Sequence, residues 1–145
     1  MRKEVEVKIK LMEGGKLPEF KTEGAVCCDC YARLDELQVI QPRSRAKIPL
    51  GFAMELPIGW EAVVRPRSGL TSIGQDIGIG SVDYDFRGEV SANVINDSDY
   101  CFTVYPSDRI CQLAIREVPK VNFIVVNELS ETERGEKGFG SSGMR

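Results

Sequence analysis

The sequence has 145 residues, a formal net charge of −3 and no histidine. Its length is typical of a single domain, and its pI of about 5.1 does not indicate a nucleic-acid-binding surface, which requires a basic patch. The lack of histidine excludes Ser–His and Cys–His catalysis within this chain, and it also excludes zinc sites with an imidazole ligand.

No apolar run approaches the roughly 20 residues that a membrane-spanning helix needs. The amino-terminal segment MRKEVEVKIK is basic but lacks the apolar core of a signal peptide. The five cysteines are an odd number, which favours reduced thiols over a disulfide framework. We therefore expect a cytoplasmic protein, or a nuclear one in a eukaryote, rather than a secreted or membrane protein.

An apolar period of two dominates the chain and predicts strands. The first predicted strand is VEVKIK at residues 5–10. The later ones are AVCCDCYA at 25–32, GFAMELP at 51–57, WEAVVRPR at 60–67, CFTV at 101–104, RICQLAI at 109–115 and NFIVV at 122–126. The segment VDYDFRGEVSANVIND at 82–97 has turn-forming residues in its middle, which predicts a hairpin.

Only the segment SGLTSI, which begins at Ser68, predicts a helical turn. Turn residues recur along the rest of the chain at the spacing of a β-sandwich or barrel. Apolar periodicity stops near Ser130, and the composition beyond it predicts a mobile tail. We expect an all-β domain over residues 1–129, either a closed barrel or a double-sheet jelly roll, followed by a tail over residues 130–145.

The segment VRPRSGL at residues 64–70 is a candidate anion-binding site. Pro66 fixes the backbone before Arg67, and Ser68 and Gly69 open the predicted helical turn. A helix start offers free amides and a hydroxyl, while arginine matches phosphate oxygens with two parallel hydrogen bonds. Taken alone, the segment is better explained as a strand end with a helix cap.

The tail segment RGEKGFGSSG at residues 134–143 carries four glycines, which let backbone amides surround an anion. Ser141 and Ser142 add hydroxyl donors, Arg134 adds charge, and Phe139 can stack on a flat ring. A flexible terminus with a stray phenylalanine explains the same residues equally well.

Asp83 and Asp85, in the segment SVDYDFRGEV, stand two positions apart and would point the same way on a strand. Adjacent like charges repel, so a metal-bound or water-activating role is one explanation. Turn carboxylates at a hairpin tip, one of them bonded to Arg87, are the simpler alternative.

The segment SDRICQLAI has Asp108 and Arg109 at the start of a strand and the polar Gln112 within it. By itself this pattern indicates a turn, an ion pair and an edge-facing amide.

The segment CCDC at residues 27–30 suggests zinc at first sight. On a strand, however, Cys28 and Cys30 face one side while Cys27 and Asp29 face the other. No second cysteine pair follows at ligand spacing, so buried thiols that pack as small apolar groups are the preferred interpretation.

In chain order, the segments GAVCCDCYA, PRSGL, GIGSVDYDFRGE, SDRICQLAI and RGEKGFGSSG resemble the five motifs of the homotrimeric dUTP diphosphatase (dUTPase) family. The resemblance runs from Gly24 to Gly143, and five motifs in the correct order are very specific. It implies a jelly-roll-like distorted β-barrel that hydrolyses dUTP to dUMP and pyrophosphate with Mg²⁺. It also implies a homotrimer with shared active sites, in which the tail of one subunit closes over the site of a neighbour. Such an enzyme limits uracil in DNA and supplies dUMP for thymidylate synthesis.

The resemblance assigns roles to individual residues. Asp83 matches the catalytic aspartate that activates the attacking water, and Asp29 matches a partner that reaches Mg²⁺ through water. Phe86 stands where the family commonly has the tyrosine that packs on deoxyribose. The remaining residues that match substrate-binding positions are Arg67, Ser68, Gly69 and Gln112 for phosphate, Gly80, Ser81, Val82 and Ser91 for the uracil side, and Arg134, Phe139, Gly140, Ser141 and Ser142 in the tail.

Three other functions compete with dUTP hydrolysis. The dCTP deaminase family shares the fold but does not end in a tail of this kind. A non-catalytic nucleotide-binding regulator on the same fold would not need a base at Asp83. A structural β-sandwich protein would leave the glycine-rich tail unexplained. The resemblance gives no function for Cys27, Cys28 and Cys30.

Overall fold

The structure is a computed structural model that describes residues 2–138, 140 and 143. Its regular elements are short strands and one helical turn, α1 (Ser68–Thr71), which confirms the predicted all-β class and the single turn. In chain order the strands are β1 (Lys8–Leu11), β2 (Cys28–Tyr31), β3 (Gln38–Ile40), β4 (Ser44–Pro49), β5 (Phe52–Glu55), β6 (Trp60–Arg65), β7 (Gln75–Gly78), β8 (Gly80–Val82), β9 (Ser91–Asn96), β10 (Phe102–Val104) and β11 (Arg109–Glu117). No helix in the described residues is long and apolar enough to cross a membrane.

The strands form antiparallel sheets around one apolar core. The largest sheet has the order β2-β11-β6-β8, and a second has the order β4-β9-β7. Two-stranded ladders join β1 to β5 and β3 to β10. The side chains of Ile48, Phe52, Val94 and Ile110, from four different strands, are at most 2% exposed and meet in this core. Burial of these apolar groups is the main force that holds the sheets together.

The predicted hairpin over residues 82–97 is wrong. β8 pairs with β6 in the large sheet, whereas β9 pairs with β4 and β7 in the other sheet. The chain between them leaves the first sheet, and Val90 then bonds through its backbone to Phe52 and Leu50. The turn-forming residues between the strands therefore connect two sheets rather than the two arms of one ladder.

The strand predicted at NFIVV is also wrong, because the last strand of the described chain ends at Glu117. Phe123 is 90% exposed and Val125 is 97% exposed. Apolar periodicity indicates that a segment can form a β-strand, but it does not indicate whether the same chain supplies a strand for it to pair with. An apolar segment this exposed is a mark of an interaction surface.

Candidate active site

Three polar residues form a row across the large sheet. Strand β11 lies between β2 and β6, and Gln112 is paired with Asp29 on one side and with Arg65 on the other. Residues directly opposite each other in a sheet project from the same face. The register therefore sets a carboxylate, a carboxamide and a guanidinium side by side.

A cavity of about 240 Å³ opens beside this row, and we call it the cationic cavity. It gathers residues from the sheet, from the junction of β6 with α1, and from the loop before β2. Its lining consists of Lys21, Ala25, Cys27, Asp29, Arg67, Ser68, Gly69, Arg109 and Gln112. The residues outside the tail that the motif resemblance assigned to phosphate, and Asp29 with them, thus lie in one place.

The guanidinium groups of the cationic cavity are held in position by neighbouring oxygens. Arg109 Nη1 donates to Asp29 Oδ2 at 3.2 Å, and Arg67 Nε lies 4.0 Å from Asp29 Oδ1. Arg67 Nη1 donates to the carbonyl oxygen of Arg109 at 2.7 Å. Together with Lys21, three cationic side chains of the described residues line the cavity, against one carboxylate, that of Asp29. The excess positive charge suits an anion that offers several oxygens.

A second cavity of about 260 Å³ lies between β8 and β9, and we call it the β8–β9 cavity. Gly80, Ser81 and Val82, three of the residues expected on the uracil side, belong to its β8 wall. Among the described residues, its lining consists of Lys47, Val64, Gly80, Ser81, Val82, Asp83, Phe86, Glu89, Val90 and Ser91. The predicted uracil-side residues, the sugar-packing ring and the candidate base are therefore brought together here.

The Phe86 ring lies on the backbone of Gly88. A Cβ atom added at Gly88 would stand 2.6 Å from Phe86 Cζ, so only glycine lets the ring occupy this position. The ring remains 46% exposed and offers a flat apolar surface to the β8–β9 cavity. A flat ring at this position can pack against one face of a sugar and leave no room for a larger group on that face.

Asp83 directly follows β8 and is exposed. Its carbonyl oxygen accepts from the backbone amide of Phe86 at 3.1 Å, which closes a turn. Asp83 and Asp85 therefore lie in a turn and not side by side on a strand, and of these two residues Asp83 lines the β8–β9 cavity. Arg87 donates to the carbonyl oxygen of Tyr84 at 2.7 Å and lies 3.4 Å from Glu55, so its recorded partners are not these two aspartates.

A salt bridge that sequence analysis missed fixes the far end of this turn. Arg33 Nε and Nη2 donate to the two carboxylate oxygens of Glu89 at 2.7 and 2.9 Å. The backbone amide of Gly51 donates to Glu89 Oε2 at 2.9 Å. Chiefly through its bonds to Arg33, the pKa of Glu89 is lowered from its usual value. Arg33 and Glu89 are 56 residues apart, so no local sequence pattern could have paired them.

The cysteines of the CCDC segment face the sides that the sequence predicted. Cys28 and Cys30 lie in the apolar core, while Cys27 lines the cationic cavity with Asp29. The neighbouring Cys30 thiol and burial raise the pKa of Cys28, and the Cys111 thiol is the main cause of a raised pKa at Cys30. These buried thiols stay protonated and pack as small apolar groups, since only the thiolate is a strong nucleophile or metal ligand.

The described residues contain no group of three or more carboxylates or thiols that could hold a metal ion. Asp29, the expected metal partner, is 7% exposed and shares its oxygens with Arg67 and Arg109. A carboxylate engaged in this way is poorly placed to bind a metal directly. Its surroundings fit the indirect role implied by the sequence, because Mg²⁺ commonly keeps several waters and binds substrate phosphates.

The tail residues that the structure describes lie in neither cavity. Arg134 Nε donates to the carbonyl oxygen of Lys137 at 2.7 Å, within the tail itself. Gly140 is exposed and has a φ of +76°, a backbone conformation that favours glycine. Phe139, Ser141 and Ser142 lie outside the described residues, so the roles expected of them stay predictions.

The fold and the two cavities define an all-β domain with a cavity lined by cationic side chains and a separate cavity lined by an aromatic ring and an exposed carboxylate. A family model described as dUTPase matches residues 13–143. The chain belongs to the dUTPase family.

Curated relatives match the chain over nearly its full length. The deoxyuridine 5'-triphosphate nucleotidohydrolase of Fusobacterium nucleatum is 39% identical over 97% of this chain and 99% of its own. The enzyme of the same name from Treponema denticola is 42% identical over 97% of this chain and 99% of its own. The solved structure of Staphylococcus bacteriophage 80alpha dUTPase with dUpNHpp superimposes with a TM-score of 0.87 at 27% identity, covering 95% of this chain and 98% of that one. The predicted fold class is confirmed by this similarity.

Proposed function

We propose that this protein hydrolyses dUTP to dUMP and pyrophosphate. The observation that carries the proposal is the cationic cavity, where Arg67, Ser68, Gly69 and Gln112 meet beside Asp29 with an excess of positive charge. The names of the nearly full-length relatives support the same reaction. In a cell, this activity limits the uracil available for DNA and supplies dUMP.

The cationic cavity binds the triphosphate. Arg67 offers a planar guanidinium, braced on the carbonyl oxygen of Arg109, to phosphate oxygens. Gln112 and the hydroxyl of Ser68 donate further hydrogen bonds from the cavity wall. Donors fixed in advance stabilise the charge that develops on the phosphates without having to reorganise during the reaction.

The β8–β9 cavity binds the deoxyuridine. Strand β8 lies at the edge of its sheet, paired with β6 on one side only. Its other backbone edge is therefore positioned to bond the O4 acceptor and the N3–H donor of uracil. Cytosine reverses these two groups and would leave buried polar atoms unpaired. Phe86 packs on the sugar, where its flat ring discriminates against a 2′-hydroxyl.

Asp83 is the general base. It lies at the exposed end of β8, within the cavity that holds the nucleoside. From there its carboxylate orients a water towards the α-phosphorus and accepts the proton of that water. General-base catalysis contributes about 10²–10⁴-fold, so stabilisation of phosphate charge in the cationic cavity has to supply most of the remaining acceleration.

The proposed cofactor is Mg²⁺, which neutralises phosphate charge when it is bound. Asp29 is the residue that would hold the ion, through water, while the substrate phosphates would supply its direct ligands. The role of Asp29 in this chain is to orient Arg109 and Arg67 around the same anion.

The working unit is a homotrimer in which subunits share active sites. In the described part of the chain, no residue lines both the cationic cavity and the β8–β9 cavity. The apolar segment at residues 121–126 is exposed, with Phe123 at 90%, and burial against another subunit would remove this surface from water. The tail then closes over the site of a neighbour and excludes water. Sedimentation velocity tests the trimer, and a monomer at micromolar concentration would contradict it.

Product analysis tests the reaction. The purified protein is incubated with dUTP and Mg²⁺, and in parallel with dCTP and with UTP. We expect dUMP and pyrophosphate from dUTP alone. Release of ammonia from dCTP would assign the chain to the deaminase class instead, and binding of dUTP without any product would make it a nucleotide-responsive regulator.

A further inference from the structure

Lys21 is a cation of the cationic cavity that the family motifs do not include. It comes from the loop before β2, and it lines the cavity with Arg67, Arg109 and Gln112. Its side chain is 42% exposed, close to the 44% of Arg109, so it is partly accessible to solvent. A binding cation needs this partial access.

The position of Lys21 is set by two neighbours. Its Nζ donates to Glu19 Oε2 at 3.0 Å and stands 5.7 Å from the centroid of the Tyr31 ring. Tyr31 Oη donates to the same oxygen of Glu19 at 3.0 Å. The hydroxyl of Tyr31, followed by Glu19, raises the pKa of Lys21. The ammonium group is therefore charged at any physiological pH and confined to a small region.

The loop that carries Lys21 is joined to the floor of the cavity. The backbone amides of Glu19 and Asp29 donate to each other's carbonyl oxygens at 3.1 and 2.8 Å. A displacement of this loop would break a two-bond bridge to the strand that carries Asp29. The backbone of the Lys21 loop is thus held next to β2 by main-chain contacts.

From this geometry we infer that Lys21 is a further polyphosphate-binding residue of the active site, beyond the residues that the family motifs supply. The inference rests on the proposed function. Asp29 is the only carboxylate that lines the cavity in the described residues, and it is already engaged by Arg109 and Arg67. The ammonium group of Lys21 has three protons, so its bond to Glu19 leaves it able to donate to the oxygens of a pyrophosphate unit.

Lys16 provides a matched control. Its Nζ lies 5.4 Å from the centroid of the same Tyr31 ring, but its side chain does not line the cationic cavity. Lys16→Gln and Lys21→Gln therefore remove the same charge from the same aromatic ring. Only the second substitution removes a donor from the anion site.

The test measures pyrophosphate binding by isothermal titration calorimetry in the full-length protein, without turnover. We expect Lys21→Gln to weaken binding about fivefold to tenfold, because the lost contact is charged but partly screened by solvent. Lys16→Gln should bind pyrophosphate like the parent protein. Binding of deoxyuridine, which carries no phosphate, should be the same in all three proteins, and their melting temperatures should agree.

Equal pyrophosphate affinity in Lys21→Gln and the parent protein would overturn the inference. An equal loss of pyrophosphate affinity in Lys16→Gln and Lys21→Gln would also overturn the inference. Such a result would indicate that the net charge of the protein affects binding and that Lys21 makes no direct contact with the anion. If only Lys21→Gln loses pyrophosphate affinity but the parent protein does not hydrolyse dUTP, the anion site is supported and the proposed function is contradicted. The two failures are therefore distinguishable.

Discussion

Arg33 and Glu89 form a two-pronged salt bridge that joins the loop after β2 to the end of the turn between β8 and β9. Their side chains are 31% and 23% exposed, which makes this ion pair much less open to solvent than the Lys3–Glu117 pair. Glu89 also lines the β8–β9 cavity, three residues after Phe86. The pair thus determines where the turn that carries the candidate base and the sugar-packing ring rejoins the core.

Replacement of Glu89 by glutamine should lower the free energy of unfolding by about 1–2 kcal/mol at pH 7, as expected for a charged hydrogen-bonded pair with partial solvent screening. The pKa of Glu89 is lowered in the folded state by Arg33. The stabilisation is therefore present above the unfolded pKa, about 4.3, and is lost as the pH falls through the lower folded pKa. Urea denaturation of both proteins at pH 7 and below pH 4 measures this.

The matched control for Glu89 is Glu117→Gln, which breaks the exposed pair with Lys3 at 3.1 Å. We expect that change to cost at most about 0.5 kcal/mol at any pH. Equal costs for the two substitutions would contradict a special contribution from Arg33. So would a cost at Glu89 that does not shrink in acid.

Gly88→Ala should displace the Phe86 ring, because the added Cβ would meet Phe86 Cζ at 2.6 Å. The ring is nearly half exposed, so it can move at little cost in stability while the sugar loses its packing surface. We expect kcat/KM for dUTP to fall about tenfold to a hundredfold, as for a misplaced positioning group. The ratio of kcat/KM for dUTP to kcat/KM for UTP should also decrease. Steady-state kinetics with both nucleotides measures this.

Gly78→Ala serves as the control for Gly88, since its added Cβ would meet Asn93 Cβ at an ordinary 3.6 Å. This variant should keep the activity and the selectivity of the parent protein. Unchanged sugar selectivity in Gly88→Ala would show that the position of the Phe86 ring does not determine the choice of sugar.

Asp83→Asn should abolish turnover of dUTP, with a loss of about 10²-fold or more in kcat, and should leave binding of the nonhydrolysable analogue dUpNHpp intact. An amide keeps the shape of the side chain but cannot take a proton from water. Asp85→Asn is the matched control, because Asp85 is exposed in the same turn and does not line the β8–β9 cavity. Retained turnover in Asp83→Asn would exclude Asp83 as the base.

The sequence predicted three of the four strands of the large sheet, because β2, β6 and β11 lie in short runs that are rich in apolar residues. It did not predict which strands β8 and β9 pair with. Their partners depend on the sheet that buries each strand and not on the turn between them. It also missed β3 and β7, which have only three and four residues, and β4, which has the polar residues Ser44, Arg45 and Lys47 among its six. Local patterns report which face of a strand is buried but not which neighbour buries it.

Contacts between distant residues were invisible in the sequence. Asn96 is fully buried, accepts from Gln75 at 2.7 Å, and donates to the carbonyl oxygens of Ile40, Gln41 and Tyr100. Nothing in the segment around Asn96 distinguishes it from a turn residue. The same holds for Arg109, which sequence analysis assigned to a simple ion pair and the structure places in the cationic cavity. Motif order located the candidate site, but only the register of the sheet reveals the charges around it.

Deletion of residues 134–145 should leave the fold intact and cripple catalysis. The described tail bonds to itself, through Arg134 to Lys137 and Gly135 to Thr132, so its removal costs the β domain no recorded contact from these residues. We expect an unchanged melting temperature and a fall of about 100-fold or more in kcat/KM.

Co-expression with the Asp83→Asn protein sharpens the test, since that protein keeps its tail while the truncated one keeps Asp83. Recovery of activity in mixed assemblies is expected if the tail of one subunit serves the site of another. A fully active truncation would contradict the lid, and an inactive mixture of well-assembled subunits would contradict shared sites.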